Sequence, residues 1–287
     1  MQNSYSLLDS GDGRKLERFG PYVIARPAAQ AVWAPQLPDA VWQKADAFFS
    51  RKQENKWEFK DELPAHWRIN VEDLVFKISQ TDFGHLGIFP EQKPFWKMLK
   101  SVIAQAKAST HPNVEVLNLF AYSGGSTLAA ASAGARVCHL DASKGMVAWA
   151  RENAAFNELE KAPIRWIVDD VGKFLKREIQ RGRRYDGIIL DPPTFGRGSQ
   201  GETFKIEEDI RDILGACRNL LSDAPLFVCF SCHTPGFTPI AMQHLLVQMM
   251  QGCGGSIDSG EMVLSGEPGV FALPSGTYAR WLAHVNQ

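Results

Sequence analysis

Hydrophobic positions along this chain follow two regimes. Over residues 1–85 they alternate with polar ones in short runs, as strands would. Such runs fall at 15–19, 22–25, 57–59, 67–69 and 74–78, and Asp12-Gly13 supplies turn chemistry. Pro27, Pro35 and Pro38 break any long helix, and the spacing predicts one short helix over 41–51. This reads as a small β-rich N-terminal domain. Residues 83–97 form a junction with two glycines and two prolines, and a helix is predicted over 94–108. From residue 114 the pattern changes. Short apolar runs at 114–119, 136–140, 164–168, 185–190 and 225–230 alternate with helical stretches at 126–133, 143–156, 171–180, 207–221 and 239–251. Runs at 261–264 and 278–285 close the chain as strands. Alternation of this kind predicts an α/β class, with a parallel doubly wound sheet in a domain spanning 86–287.

Composition narrows the class. The chain has 287 residues, 45% hydrophobic and 22% charged, as in a soluble globular enzyme. Its five cysteines are an odd number, which fits reduced thiols in the cytosol and a cytoplasmic location. Cys229 and Cys232 make a single pair with no second pair at metal spacing, so no metal is expected. No apolar run approaches the roughly 20 residues of a membrane span. The formal net charge is −1, so any nucleic-acid contact must use a local patch. One candidate is the basic run Lys173, Lys176, Arg177, Arg181, Arg183 and Arg184, to which Arg14, Lys15 and Arg18 could add; a solvated helix face is the other reading. The tryptophans at 33, 42, 57 and 67 read as core or as a base-stacking surface.

Candidate chemistry sits at the predicted carboxyl ends of the strands, where open α/β sheets bind ligands. After the first comes Asn118-Leu-Phe120-Ala-Tyr122-Ser123-Gly124-Gly125, a glycine turn into a helix without the Gly-x-Gly of a dinucleotide site. Asp141 ends the second strand, followed by Ala142 and Ser143; its carboxylate could accept both hydroxyls of a ribose or cap a helix. After the third, Asp169, Asp170 and the Val171 N–H could hold an adenine edge, or the two acids could serve as an N-cap pair. Asp191-Pro192-Pro193-Thr194 ends the fourth, with two prolines holding a carboxylate rigidly.

Together these are the ordered parts of an S-adenosyl-L-methionine site. The chain resembles the class I methyltransferases, and more closely the bacterial large-subunit rRNA methyltransferases that include the cytosine-C5 enzymes. The resemblance rests on the stretches 117–125, 141–144, 150–153, 169–175, 190–195 and 230–233, and covers roughly residues 85–287. It implies a Rossmann-like sheet and S-adenosyl-L-methionine as cofactor. Gly87-Ile-Phe-Pro-Glu-Gln92-Lys93 resembles a family segment expected to border the cofactor, which brings in Gln92. Residues 1–85 do not match the RNA-binding PUA domain that such enzymes often carry, and they stand as a substrate clamp or RNA contact. Thr194 stands where amino-methylating enzymes usually place an aromatic, with Phe195 one position later.

Cys232 resembles the family's nucleophile. A thiolate adding to cytosine C6 would activate C5 toward methylation, with Asp191 holding the base. The alternative is an inert buried thiol, as expected for Cys229. His233 follows directly, but adjacent strand residues point to opposite sides, so it is not assigned as a base. The implied partner is RNA, in particular rRNA; a homodimer is left open. A methyltransferase acting on another RNA base, a protein or a small molecule is the second reading, and a non-catalytic binding module the third.

Overall fold

A computed structural model of the chain describes residues 3–51, 55–109, 111–197 and 201–284. It divides into two compact units, residues 1–93 with 262–275, and residues 94–261 with 276–287.

The first unit is built mostly of strands. β1 (Tyr5–Gly11), β2 (Arg14–Phe19), β3 (Tyr22–Pro27), β4 (Ala47–Ser50) and β5 (Lys56–Phe59) form one sheet in that order. All neighbours are antiparallel except β3 and β4. β6 (Trp67–Val71) and β7 (Leu74–Ile78) form a separate hairpin. The helix expected over 41–51 is shorter: α1 covers only Asp39–Trp42, and Phe48 and Phe49 alternate along β4 instead. Tryptophan N–H groups anchor the unit to itself. Trp42 donates to the buried Asp9 carboxylate, Trp33 to the Ser10 carbonyl, Trp57 to the Thr81 carbonyl and Trp67 to the Phe19 carbonyl. These rings therefore serve the unit's own packing. Lys15 is paired with the buried Glu17 at 3.2 Å, so it adds nothing to a basic surface. A short 3₁₀ turn, Pro90–Gln92, follows, with Gln92 buried.

The second unit carries the α/β layers. In chain order these are α2 (Lys93–Ser109), β8 (Glu115–Leu119), α3 (Gly125–Ser132), β9 (Arg136–Asp141), α4 (Lys144–Phe156), β10 (Ile164–Val168), α5 (Val171–Gln180) and β11 (Gly187–Leu190). A small hairpin follows, β12 (Phe195–Arg197) with β13 (Thr203–Lys205), then α6 (Ile206–Leu220), β14 (Phe227–Cys232), α7 (Pro239–Met249), β15 (Ser256–Leu264) and β16 (Leu273–Leu282), of which residues 262–264 and 273–275 are counted with the first unit. The sheet order is β10-β9-β8-β11-β14-β16-β15. The first five strands are mutually parallel, and β16 runs antiparallel to β14. The sheet is thus doubly wound with a mixed edge. Chain order reverses between β8 and β11, which sets the ligand crevice there.

Local chemistry starts the helices where the sequence changes period. Ser143, Asp170 and Thr238 each accept a backbone N–H as N-caps of α4, α5 and α7, and Pro239 fills the first turn of α7. Against the sheet, α5, α6 and α7 bury Phe174, Ile210, Leu214 and Leu246 with Phe230 and Trp281. Gly187 is required inside β11, because a Cβ there would lie 2.2 Å from the Phe227 ring.

Candidate active site

The candidate side chains of the second unit sit at or just beyond the carboxyl ends of its parallel strands. Beyond β8 the chain turns sharply. Phe120 (φ 54°) and Tyr122 (φ 50°) take left-handed conformations that side chains avoid, and Gly124 (φ 92°) a third. The glycines were expected to let backbone approach a ligand. Their missing Cβ atoms instead face protein: on Gly124 a Cβ would lie 3.0 Å from the Ala150 Cβ, and on Gly125 2.5 Å from the Trp96 ring. The turn is free to offer N–H groups at the start of α3 because its other side is packed against these residues.

The turn is held from three directions. Asp141 Oδ2 accepts the Tyr122 N–H at 2.9 Å and Oδ1 accepts the Ser143 N–H at 2.9 Å. Burial pushes the Asp141 carboxyl up, and these two donors pull it back down. Each of its oxygens keeps a lone pair for a further donor, the chemistry a ribose diol needs. Asn153, fully buried on α4, donates to the Ser123 carbonyl at 2.9 Å. Asn118 is buried beneath the turn and donates to Thr127 Oγ1 at 2.9 Å, and that hydroxyl is 2.9 Å from His139 Nδ1. Burial, and secondarily Arg151, lower the His139 pKa to about 3. Sequence reasoning passed over Thr127 and His139, whose pairing across 12 residues has no local signature.

Beyond β10, Asp170 caps α5 by accepting the Lys173 N–H at 2.9 Å. Asp169 accepts the Asp170 N–H at 2.9 Å and pairs with Arg177, and its own N–H bonds the Asp141 carbonyl at 3.2 Å. Val171 is buried under the first turn of α5. The basic run is dispersed. Lys173 pairs with Glu202 and Arg181 with Glu178, and Arg183 and Arg184 follow the far end of α5, about 15 Å from its start.

Beyond β11 and β14 two loops meet. Thr194 and Thr234 share a hydroxyl hydrogen bond of 2.7 Å, and His233 Nδ1 lies 3.4 Å from Asp191 Oδ1. Pro192 is buried beside Asp191. β14 runs two residues further than its apolar run predicted, so Cys232 is the last strand residue. It shares a face with Val228 and Phe230, among the core side chains, and is 1% exposed. Burial pushes its thiol up, while the Thr234 N–H, 3.3 Å from Sγ, pulls it down. Cys229, on the opposite face, is pushed up to about 12 by burial. On the small hairpin, Phe204 packs on Phe120 with ring centroids 5.0 Å apart, while Phe195 is exposed. The expected residues Asn118 to Gly125, Asp141 to Ser143, Asp169 to Val171, Asp191, Pro192 and Cys232 thus lie at or just beneath one sheet edge. Gln92 belongs to the other unit.

A sequence model described as S-adenosylmethionine-dependent methyltransferase matches residues 48–244. The chain belongs to that family. The methyltransferase also matches a solved structure across 98% of its length, the SAM-dependent methyltransferase from Agrobacterium tumefaciens, with 40% identity, a TM-score of 0.92 and 91% of that chain covered. Two curated relatives are ribosomal RNA large subunit methyltransferases. One is K/L of Syntrophotalea carbinolica, 31% identical over 182 residues, covering 62% of this chain and 24% of that protein. The other is I of Salmonella arizonae, 33% identical over 131 residues, covering 42% of this chain and 30% of that protein. The methyltransferase therefore spans less than a third of either relative's length.

S-adenosylmethionine is the methyltransferase's cofactor, and the residues present fit it. The start of α3 would offer N–H groups to the methionine carboxylate, Asp141 would offer acceptors to the ribose, and Asp169 with the start of α5 would border the adenine. The cofactor supplies an electrophilic methyl on a sulfonium. Asn153→Ala is expected to weaken S-adenosylhomocysteine binding about tenfold in calorimetry, because the Ser123 turn must then be ordered on binding. Unchanged affinity with a lowered Tm would limit Asn153 to fold stability.

Proposed function

We propose that this methyltransferase acts on a base of RNA, within ribosomal RNA. The observation that carries the reading is Asp191, fixed by its following prolines at the carboxyl end of β11, beside the chain reversal and on the edge that holds the glycine turn. A carboxylate there can grip the polar edge of a planar base and aim one atom at the methyl group. The names of the two rRNA relatives supply the substrate class. Residues 1–85 would then serve as an RNA contact or substrate clamp.

The finer reading is methylation of cytosine C5 through a Cys232 adduct. In its favour, the Thr234 N–H already points at the sulfur and would stabilise a thiolate. Against it, the thiol is closed off from solvent and its proton is held by burial. Direct transfer to a nitrogen or another atom, without an adduct, is the second reading, favoured by the Asp191–His233 contact. The test is transfer of labelled methyl to bulk RNA from a strain lacking this gene. Loss of label from 5-methylcytosine in Cys232→Ala, by at least about 10²-fold, is the expected result for the adduct. Label that persists in the variant selects direct transfer. No label with the wild-type protein, while S-adenosylhomocysteine still binds, removes RNA as the substrate.

A further inference from the structure

We propose that the outward face of the β12–β13 hairpin, Phe195 with Arg197, stacks an unpaired base of the RNA substrate beside the target nucleotide. The inference rests on the RNA reading and adds to it a surface for the neighbouring base. β12 begins at Phe195, directly after Asp191-Pro192-Pro193-Thr194, so the hairpin grows out of the candidate active-site loop.

Opposed residues of an antiparallel pair share a face, and successive residues alternate between faces. Phe195 opposes Lys205, Gly196 opposes Phe204, and Arg197 opposes Thr203. Gly196 and Phe204 therefore take one face, and the Phe204 ring packs on Phe120 in the turn beyond β8. Phe195, Arg197, Thr203 and Lys205 take the other face, and all four are exposed. The base of the hairpin is fixed as well. The Ile206 N–H donates to the Thr194 carbonyl at 3.2 Å, and the Thr194 and Thr234 hydroxyls are bonded to each other. An aromatic ring is thus held at the surface by a hairpin whose other face is anchored.

A single exposed apolar residue is ordinary. Phe195 differs in its company. The Arg197 guanidinium lies over the ring, 5.7 Å from its centroid, and the residue is still 48% exposed. A ring beside a planar cation fits an unstacked nucleobase, which can lie on the aromatic face while the guanidinium stacks on it or reaches a phosphate. On the same face Lys205 is paired with Glu208 at 2.8 Å, and Asp209 accepts the Lys205 N–H. The lysine charge is offset there, so the contact draws on stacking more than on attraction to the backbone. Continuity with the Asp191 loop favours RNA over a protein partner, because the base next to the methylated one must pass this face.

Binding and turnover by the full chain test it. In fluorescence anisotropy with a labelled single-stranded RNA oligonucleotide of mixed sequence, Phe195→Ala is expected to weaken binding about tenfold. Phe195→Trp should bind within about twofold of wild type, and Phe195→Leu should fall with the alanine variant. The slope of affinity against salt should stay as in wild type for Phe195→Ala, because no phosphate contact is lost. In methyl transfer to RNA from a strain lacking this gene, Phe195→Ala should raise KM about tenfold with kcat within about threefold. Its S-adenosylhomocysteine affinity should be that of wild type. Affinity or KM unchanged in Phe195→Ala, or Phe195→Leu as tight as Phe195→Trp, overturns the proposal, and transfer to RNA by the wild-type protein then keeps the RNA reading. Neither binding nor transfer by the wild-type protein overturns both.

Discussion

Asp191→Asn is expected to lower methyl transfer about 10³-fold while changing S-adenosylhomocysteine affinity only a few-fold. The substitution keeps the shape of the side chain and the two prolines behind it, so the loop stays in place. It removes the charge where the β11 loop and the β14 loop meet, beside His233 and near the Thr194–Thr234 hydrogen bond. A carboxylate that grips the target base and offsets the charge developing on it would combine two effects, each worth on the order of 10–10² in rate. Initial rates at saturating cofactor measure the loss, and calorimetry measures the affinity. A rate within tenfold of wild type would take Asp191 out of the chemistry.

Acid is expected to destabilise this protein earlier than its carboxylates alone would dictate, through His139. The ring is buried, with a pKa lowered to about 3 from the model-peptide value of 6.5. Below pH 6.5 the unfolded chain binds a proton that the folded chain refuses, so stability is full above that pH and declines as pH falls toward 3. The slope through this window is about 1.4 kcal/mol per pH unit. Urea midpoints for His139→Gln should start lower at pH 8, by about 1–3 kcal/mol, and then fall less steeply than wild type between pH 6.5 and 4. Parallel curves for the two proteins would mean that His139 is protonated in the native state.

The glycine turn, Asp141, the Asp169–Asp170 pair and the Asp-Pro-Pro loop were legible because each follows a short apolar run, and such runs are buried parallel strands wherever helices cover both faces. What lay hidden had no such local mark. The hairpin at Phe195–Arg197 and Thr203–Lys205 has strands of three residues, too short for alternation to register. His233 lies 3.4 Å from Asp191 because β14 ends at Cys232 and strand alternation stops there. The strand at Ala47–Ser50 was read as helix because adjacent Phe48 and Phe49 fit either period. The link from Asn118 through Thr127 to His139 joins three elements, and no window along the chain contains its logic.

The division of the chain has a practical consequence for anyone wishing to exchange or trim its parts. Residues 262–275 return to the first unit, where Leu7 bridges Gly266 and Met262, Leu264 and Leu273 are buried. A protein begun at residue 94 would keep residues 262–275 and lose the rest of the unit they belong to, including the Leu7 partner of Gly266. A chimera that borrows the first unit from another methyltransferase must carry over both pieces, 1–93 and 262–275, through three junctions. The glycine turn and the Asp-Pro-Pro loop, by contrast, fall within one uninterrupted stretch and can be grafted as a single piece.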